Sequence, residues 1–226
     1  MAQVIAIDGP AASGKSTVAG GISRKLGIPY INTGNMYRSV TWHFLRNGID
    51  PLHADMHDML DLLQQLKLEY LRNPNGDFQI YLNGDAVCEA DIRSPEVTAC
   101  VSQVSAMPEI RQWLLDKQRH FAGMGLVVME GRDIGTVVFP DADYKFFVTA
   151  TPYARALRRL NQDGETPDNS TVQSVADQIA ERDRLDSTRA VAPLRQADDA
   201  KYIDTTDMSI TEVVELIAGQ VNNARN

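Results

Sequence analysis

Cysteine is scarce in this sequence, since Cys88 and Cys100 are the two cysteines among 226 residues and they form no Cys-x-x-Cys pair. That scarcity argues against a disulfide framework or a zinc site and favours a reducing compartment. Long apolar runs are also missing, because no stretch reaches about 18 residues, the length that predicts a membrane-spanning helix. The N-terminus carries no basic leader. We therefore expect a cytoplasmic protein that is neither exported nor embedded in a membrane.

Positive charge is in deficit as well. The chain has 22 Lys and Arg against 30 Asp and Glu, which gives a net charge of −8. This balance argues against non-specific binding to nucleic acid or to a membrane surface, so any anion site must be local. Among the basic residues, 16 are Arg and 6 are Lys. Because the planar Arg fork meets phosphate oxygens two at a time, this excess favours phosphate recognition.

The order of predicted elements indicates an α/β protein of one domain with an insertion. Short apolar runs predict five buried strands, at residues 3–7, 30–32, 126–129, 144–148 and 202–204. Helical periodicity lies between them, and helices are predicted from Lys15 to Leu26 and at residues 36–45, 153–160 and 172–184. This alternation predicts a five-stranded parallel sheet with helices on both faces.

The insertion has a different pattern. Three short strands are predicted at residues 68–71, 78–82 and 85–87, separated by Asn75-Gly76 and Asn83-Gly84. Asn-Gly pairs favour the tight turns of β-hairpins. We therefore predict a small antiparallel sheet inserted into the α/β frame.

One motif indicates nucleotide binding. A run that fits G-x-x-x-x-G-K-[ST] follows the first strand and precedes the first helix; its residues are Gly9, Pro10, Ala11, Ala12, Ser13, Gly14, Lys15 and Ser16. In such a phosphate loop, backbone N–H groups point at phosphate oxygens and the lysine reaches the β and γ phosphates. Ser16 can bind a Mg²⁺ ion that bridges those phosphates, and Thr17 can also donate to phosphate.

The fate of the γ-phosphate is a separate question. The sequence lacks the Asn-Lys-x-Asp guanine motif and the Asp-x-x-Gly switch of regulatory GTPases. A motor ATPase would more often end a strand with paired acidic residues, whereas the strand at residues 126–129 runs into Glu130-Gly131-Arg132-Asp133. A small-molecule kinase needs a second anion site, which the remaining arginines can supply.

Four stretches resemble the bacterial cytidylate kinases of the P-loop nucleoside monophosphate kinase group, and the match extends over the full length. They are residues 7–17, 33–38, 130–140 and 181–194. The resemblance implies transfer of the ATP γ-phosphoryl group to CMP or dCMP with Mg²⁺. It also implies one kinase domain with a core at residues 1–34, 106–160 and 185–226, a monophosphate-binding region with the β insert at about 35–105, and a lid at about 161–184.

The resemblance also implies roles for individual residues. ATP would contact the phosphate loop and three arginines at the base of the lid, Arg155, Arg158 and Arg159. CMP would contact nine side chains, namely Thr33, Arg38, Ser102, Arg111, Arg132, Asp133, Arg182, Asp186 and Arg189. The catalytic cations would be Lys15, Arg132 and Arg182. This chain has Asn32-Thr33-Gly34 where the family most often has Asp-Ser-Gly, so the hydroxyl is kept and a charge is lost.

Elementary chemistry agrees with these roles. Cytosine presents an amine beside acceptors at N3 and O2, so Asp133 can accept from the amine while Arg111 or Ser102 donates to the acceptors. Uracil would place an acceptor against that carboxylate at a cost of about 1–3 kcal/mol, so we expect CMP to be preferred to UMP. The attacking phosphate oxygen is already ionised, so no strong base is needed. Glu130 is the candidate for orienting a magnesium-bound water, with Asp8 as the alternative.

Other functions remain open at this point. A phosphate loop also serves kinases for other small acceptors, such as a different monophosphate or shikimate, and non-catalytic nucleotide sensors. We expect a monomer whose partners are ATP and CMP or dCMP, without a nucleic acid polymer or a membrane as a partner.

Overall fold

A computed structural model describes residues 3–73, 78–162, 166 and 169–225. The strands are β1 (Val4–Asp8), β2 (Tyr30–Asn32), β3 (Leu68–Arg72), β4 (Phe78–Leu82), β5 (Asp85–Ala86), β6 (Val127–Gly131), β7 (Tyr144–Thr149) and β8 (Lys201–Asp204). The α-helices are α1 (Lys15–Leu26), α2 (Thr33–Arg46), α3 (Met56–Gln64), α4 (Glu89–Ile92), α5 (Pro95–Val104), α6 (Pro108–His120), α7 (Pro152–Leu160), α8 (Val172–Thr188) and α9 (Ile210–Arg225).

The chain divides into two compact units. The larger unit comprises Met1–Asn32 and Gln118–Asn226, and the smaller unit comprises Thr33–Lys117. In the larger unit, β2, β6, β1, β7 and β8 pair in that order, and every pairing is parallel. Of the three inner strands, β1 and β6 are buried along their whole length, as expected for a covered parallel sheet. The predicted five-stranded parallel sheet is thus confirmed.

One face of this sheet packs against α1 and α9. Val18 and Ile22 of α1 share a buried cluster with Val213 and Ile217 of α9 and with inward side chains of the sheet. Gly21 permits the two helices to approach closely, since a Cβ there would lie 2.6 Å from a methyl carbon of Val214. The β1–α1 unit therefore holds the intervening loop between two rigid elements.

The smaller unit contains the predicted antiparallel sheet, β3-β4-β5. Asn83 and Gly84 connect β4 to β5 with φ angles of 52° and 91°. Positive φ at both positions is what a tight hairpin turn requires, so this predicted turn is confirmed. The other predicted turn, Asn75-Gly76, lies outside the described residues.

Two predicted helices differ in length from those observed. The helix predicted at residues 36–45 begins at Thr33, and the helix predicted at 172–184 continues to Thr188. No Gly or Pro interrupts the chain between 184 and 188, and the extended backbone of Arg189 ends the helix. Consequently Arg182 and Asp186 lie on the same helix, α8.

The predicted lid is described in part. Its polar residues Asp163, Gly164 and Asp168 lie outside the described residues, and the rest of the predicted segment is mainly α8. The division into core, monophosphate-binding region and lid stays a prediction. None of the described helices combines the length and apolar character of a membrane span.

Candidate active site

The segment between β1 and α1 has the backbone of an anion-binding loop. Gly9 has a φ of 149°, and a Cβ there would lie 2.0 Å from the carbonyl oxygen of Val148, so no side chain fits. Ala12 and Gly14 have φ angles of 55° and 88°. Left-handed residues within a loop turn successive N–H groups to one side, where they form a concave anion site. The loop leads directly into the N-terminus of α1, whose dipole adds positive potential.

Two of the arginines assigned to ATP contact the carbonyl groups of this loop. Arg155 is buried and donates to the carbonyl of Ala11 at 3.0 Å. Arg158 donates to the carbonyl of Ser13 at 3.3 Å. Because these carbonyls already have partners, the loop keeps its curvature. The N–H of Ala11 donates to Asp183, and the other N–H groups of the loop are turned towards the anion site. The third arginine, Arg159, is partly buried on α7.

Lys15 is the buried cation of the loop. Its Nζ donates to the carbonyl of Pro10 at 2.6 Å and to the hydroxyl of Ser13 at 3.1 Å. Burial, reinforced by the positive charge of Arg132, holds the pKa of Lys15 well below its usual value. A phosphate oxygen beside this ammonium would favour its charged form, so the loop and its lysine suit an anionic ligand.

Oxygen donors suited to a hard cation lie on α1 and at the end of β6. Ser16 and Thr17 have exposed positions in the first turn of α1. The buried Glu130 accepts a hydrogen bond from the hydroxyl of Tyr30, which in turn accepts from the amide of Asn32 at 3.1 Å. Within the described residues, no group of three or more His, Cys, Asp or Glu could hold a metal by itself. Mg²⁺ takes most of its ligands from phosphates and water, so Ser16 and Glu130 fit such an ion.

Asp8, the alternative carboxylate, is hydrogen-bonded to the backbone that follows β6. Its two oxygens accept hydrogen bonds from the N–H groups of Ile134 at 2.8 Å and Gly135 at 2.7 Å. Burial raises the pKa of Asp8 to about 7, although these two hydrogen bonds lower it. Asp8 therefore suits a metal less well than Glu130, and it positions the turn that begins immediately after Asp133.

Four of the residues assigned to CMP form one ionic cluster in the larger unit. Arg132 Nε donates to Asp186 Oδ2 at 2.9 Å, and Arg189 Nη2 donates to Asp133 Oδ1 at 3.3 Å. Arg189 Nη1 lies 3.9 Å from Asp186 Oδ1, which joins the two pairs. Burial would raise the pKa of Asp186, but the charges of Arg132, Arg182 and Arg189 hold it below its usual value. Asp186 is therefore ionised among three guanidinium groups.

Of the other five residues assigned to CMP, Arg182 lies on α8 in the larger unit and four belong to the smaller unit. Thr33 is buried at the start of α2, and Arg38 is buried one turn later. Arg38 donates to the carbonyl of Ile92 at 3.0 Å and to the hydroxyl of Thr98 at 3.0 Å. These contacts fix the guanidinium between α2, α4 and α5.

Arg111 and Ser102 complete this set. Arg111 is buried, donates to the carbonyl of Ser105 at 3.0 Å, and lies over the ring of Tyr37 at 5.5 Å from its centre. Ser102 lies on α5 with a partly buried side chain. The ring and the hydrogen bond orient Arg111 within its own unit.

Sequence reasoning gave no role to Asp183 or to Thr205. Asp183 accepts a hydrogen bond from the N–H of Ala11 at 2.9 Å and forms an ion pair with Arg155. Thr205 accepts hydrogen bonds from Arg158 through its hydroxyl at 2.9 Å and its carbonyl at 2.6 Å. Asp183 lies within the stretch at 181–194, but no local pattern indicates a partner 172 residues away.

Comparisons with known proteins show which family this chain is similar to. A family model described as cytidylate kinase matches residues 5–223. A cytidylate kinase of Mycobacterium avium (strain 104) is 46% identical over 213 residues, which cover 94% of this chain and 92% of that protein. A bifunctional pantoate ligase/cytidylate kinase of Synechococcus sp. (strain CC9605) is 49% identical over 221 residues, 96% of this chain and 45% of that protein. The chain thus spans less than half the length of the bifunctional relatives it matches.

A solved structure shares the fold. The crystal structure of an uncharacterised protein from Eubacterium ventriosum ATCC 27560 covers 97% of this chain and 98% of its own, with a TM-score of 0.51 and 12% identity. At that identity the likeness concerns the arrangement of helices and strands.

Proposed function

Because this chain belongs to the cytidylate kinase family, we propose that it transfers the γ-phosphoryl group of ATP to CMP or dCMP, giving ADP and the nucleoside diphosphate. The observation that carries this proposal is that α8 contacts both the phosphate loop and the ionic cluster. Asp183 accepts from the N–H of Ala11 in the loop at 2.9 Å, and Asp186 accepts from Arg132 in the cluster at 2.9 Å. Two anion sites joined by one helix suit the approach of two phosphorylated substrates.

The donor would lie against the phosphate loop. The loop amides would bind phosphate oxygens, and Lys15 would regain a favourable charged state beside the β and γ phosphates. A Mg²⁺ ion held by Ser16, with a water oriented by Glu130, would neutralise part of the phosphate charge. Because Arg155 and Arg158 hold the loop by its carbonyls, the amides need little rearrangement when the donor binds.

The acceptor phosphate would be held by the arginines of the cluster. Arg132 and Arg189 are fixed by the carboxylates of Asp186 and Asp133, so their charges are oriented before the acceptor arrives. Arg182 adds a third positive charge from α8. The attacking oxygen of a nucleoside monophosphate is ionised at neutral pH, and no residue has to remove a proton from it. Catalysis would consist of alignment and charge stabilisation.

Base selection would depend on Asp133, with Arg111 and Ser102 assigned to the same base. Asp133 is buried and accepts from Arg189, so its carboxylate is an oriented acceptor for the exocyclic amine of cytosine. Uracil would present an oxygen to it instead, and two acceptors face to face cost about 1–3 kcal/mol. We therefore propose that CMP and dCMP are preferred to UMP.

We also propose that the protein acts as a monomer in the cytoplasm. Both cysteines are free thiols, Cys88 exposed and Cys100 buried, which suits a reducing compartment. Light scattering of the purified chain should give a mass near 25.0 kDa. A particle of twice that mass would contradict the monomer.

A coupled assay of ADP release tests the activity. Purified protein with MgATP is given CMP, dCMP, UMP, AMP, GMP or shikimate in turn, and release should be fastest with CMP or dCMP. Faster release with another acceptor would identify a different kinase. Equal release without any acceptor would identify an ATPase, and tight ATP binding without release would identify a nucleotide sensor.

A further inference from the structure

In the phosphate loop, both backbone polar groups of Ala11 are hydrogen-bonded to side chains of α7 and α8. The N–H of Ala11 donates to Asp183 Oδ1 at 2.9 Å, and its carbonyl accepts from Arg155 Nη1 at 3.0 Å. Asp183 and Arg155 also form an ion pair with each other. A closed triangle therefore links the loop, α7 and α8 through one backbone residue and two charged side chains.

Apolar packing reinforces this triangle. The side chain of Ala11 is 1% exposed and packs in a buried cluster with Ala156 of α7 and with Val175 and Ile179 of α8. Both helices are therefore fixed to the loop by side-chain packing and by hydrogen bonds at the same point. A larger side chain at residue 11 would have to displace α7 or α8.

The same helix carries residues on the acceptor side. Along α8, the buried Val175 and Ile179 are followed on the same side by the partly buried Asp183 one turn later and by the buried Asp186 two turns later. Asp183 thus contacts the donor loop, whereas Asp186 contacts Arg132 in the ionic cluster. About one helical turn separates the two carboxylates, so a shift of α8 at one of them moves the other.

We propose that Asp183 is a positioning residue that couples the phosphate loop to the acceptor side of α8. When a triphosphate fixes the loop around Ala11, Asp183, which accepts from the N–H of Ala11, fixes the last turns of α8. Arg182 and Asp186 are then ordered before the acceptor binds. By reciprocity, acceptor binding favours the loop conformation that holds the triphosphate. The effect on acceptor binding rests on the proposed function, whereas the contact of Asp183 with the phosphate loop does not.

The test compares Asp183→Asn with Glu181→Gln. Both variants remove one carboxylate charge from α8, but Glu181 is exposed and pairs with Arg184 on the same helix. Asn at 183 would place a neutral amide against the N–H of Ala11 and leave Arg155 without its counter-ion. We expect Asp183→Asn to weaken binding of a non-hydrolysable ATP analogue with Mg²⁺ by about tenfold. Glu181→Gln should stay within about twofold, as exposed pairs contribute little.

The second measurement is the coupling between the two ligands. Calorimetry gives the dissociation constant of CMP with and without the ATP analogue. In the unmodified protein the analogue should tighten CMP binding by about fivefold or more, and in Asp183→Asn this factor should fall towards one. A structural role alone would lower the unfolding temperature and leave the factor unchanged. If Asp183→Asn does not fold, Arg155→Lys replaces it, because a lysine cannot contact the carbonyls of Ala150 and Ala11 and the carboxylate of Asp183 together.

The outcomes separate the two hypotheses. An unmodified protein that makes no CDP refutes the proposed function, and the affinity for the ATP analogue still tests the hold of Asp183 on the loop. If the analogue affinity or the coupling factor is the same in Asp183→Asn and Glu181→Gln, the positioning role is wrong. A coupling factor of one in the unmodified protein also refutes it.

Discussion

The buried carboxyl group of Asp8 leads to a pH dependence of stability that can be measured directly. Asp8 accepts two backbone hydrogen bonds, and burial nevertheless raises its pKa from 3.8 to about 7. In the unfolded chain this carboxyl ionises near pH 4. Between these two values the folded protein holds a proton that the unfolded chain has released. The free energy of unfolding must therefore fall as the pH rises through this window.

The size of the effect follows from the two pKa values. A group protonated in the folded state alone changes the free energy of unfolding by about −1.4 kcal/mol per pH unit. From pH 5 to pH 7 the contribution of Asp8 should fall by about 2 kcal/mol, and the loss should level off above pH 7. Asp8→Asn removes the titration, so the stability of the unmodified protein minus that of the variant isolates this contribution.

Urea unfolding at pH 5, 6, 7 and 8 in buffer with a chelator tests this prediction, because a bound cation would change the charge near Asp8. A matched control is Asp199→Asn. Asp199 is exposed, and its hydrogen bond with Lys145 holds its pKa below the usual value. The stability of the unmodified protein minus that of Asp199→Asn should therefore stay constant across this pH range. A flat difference for Asp8→Asn, or one that rises with pH, would show that Asp8 is ionised in the folded protein.

Three further predictions concern the loop, the core and the base. Gly9→Ala should reduce the affinity for MgATP at least about a hundredfold, because its Cβ would lie 2.0 Å from a backbone carbonyl; calorimetry that finds an unchanged affinity would contradict this. Gly21→Ala should lower the stability by about 1–2 kcal/mol through its clash with Val214. Adding Val214→Ala should recover part of that loss in a double-mutant cycle, and strict additivity would refute the clash. Asp133→Ala should reduce the kcat/KM preference for CMP over UMP about tenfold or more. An unchanged ratio of the two kcat/KM values would show that Asp133 does not select the base.

The elements that depend on neighbouring residues were predictable from the sequence. The strands at 30–32 and 78–82 and the turn at Asn83-Gly84 follow from runs of a few residues, and the structure confirms them. The phosphate loop is equally local, because its glycines, its lysine and its serine lie within eight consecutive positions. The spacing of neighbouring residues is therefore enough to predict such features.

The features that sequence reasoning missed are contacts between distant residues. Asp8 bonds to N–H groups 126 and 127 residues away, and Asp183 bonds to one 172 residues away. Similarly, Gly20-Gly21 weakens the helical pattern of α1, yet Gly21 is where α9 approaches through Val214. Gly21 lowers helix propensity, and Asp8 and Asp183 have no partner close in sequence. In each case the residue is explained by a contact with an element from elsewhere in the chain.

The excess of arginine over lysine also has a physical explanation that composition alone did not give. Arg155 reaches the carbonyls of Ala150 and Ala11 as well as the carboxylate of Asp183, and Arg158 reaches Ser13 and both oxygens of Thr205. A lysine ammonium is a single point of charge and cannot span acceptors placed so far apart, whereas a planar guanidinium can. A loop that turns its N–H groups towards an anion must satisfy its carbonyls on the opposite side. These arginines therefore hold the carbonyl side of the loop, so replacing either by lysine should loosen the loop while keeping the net charge.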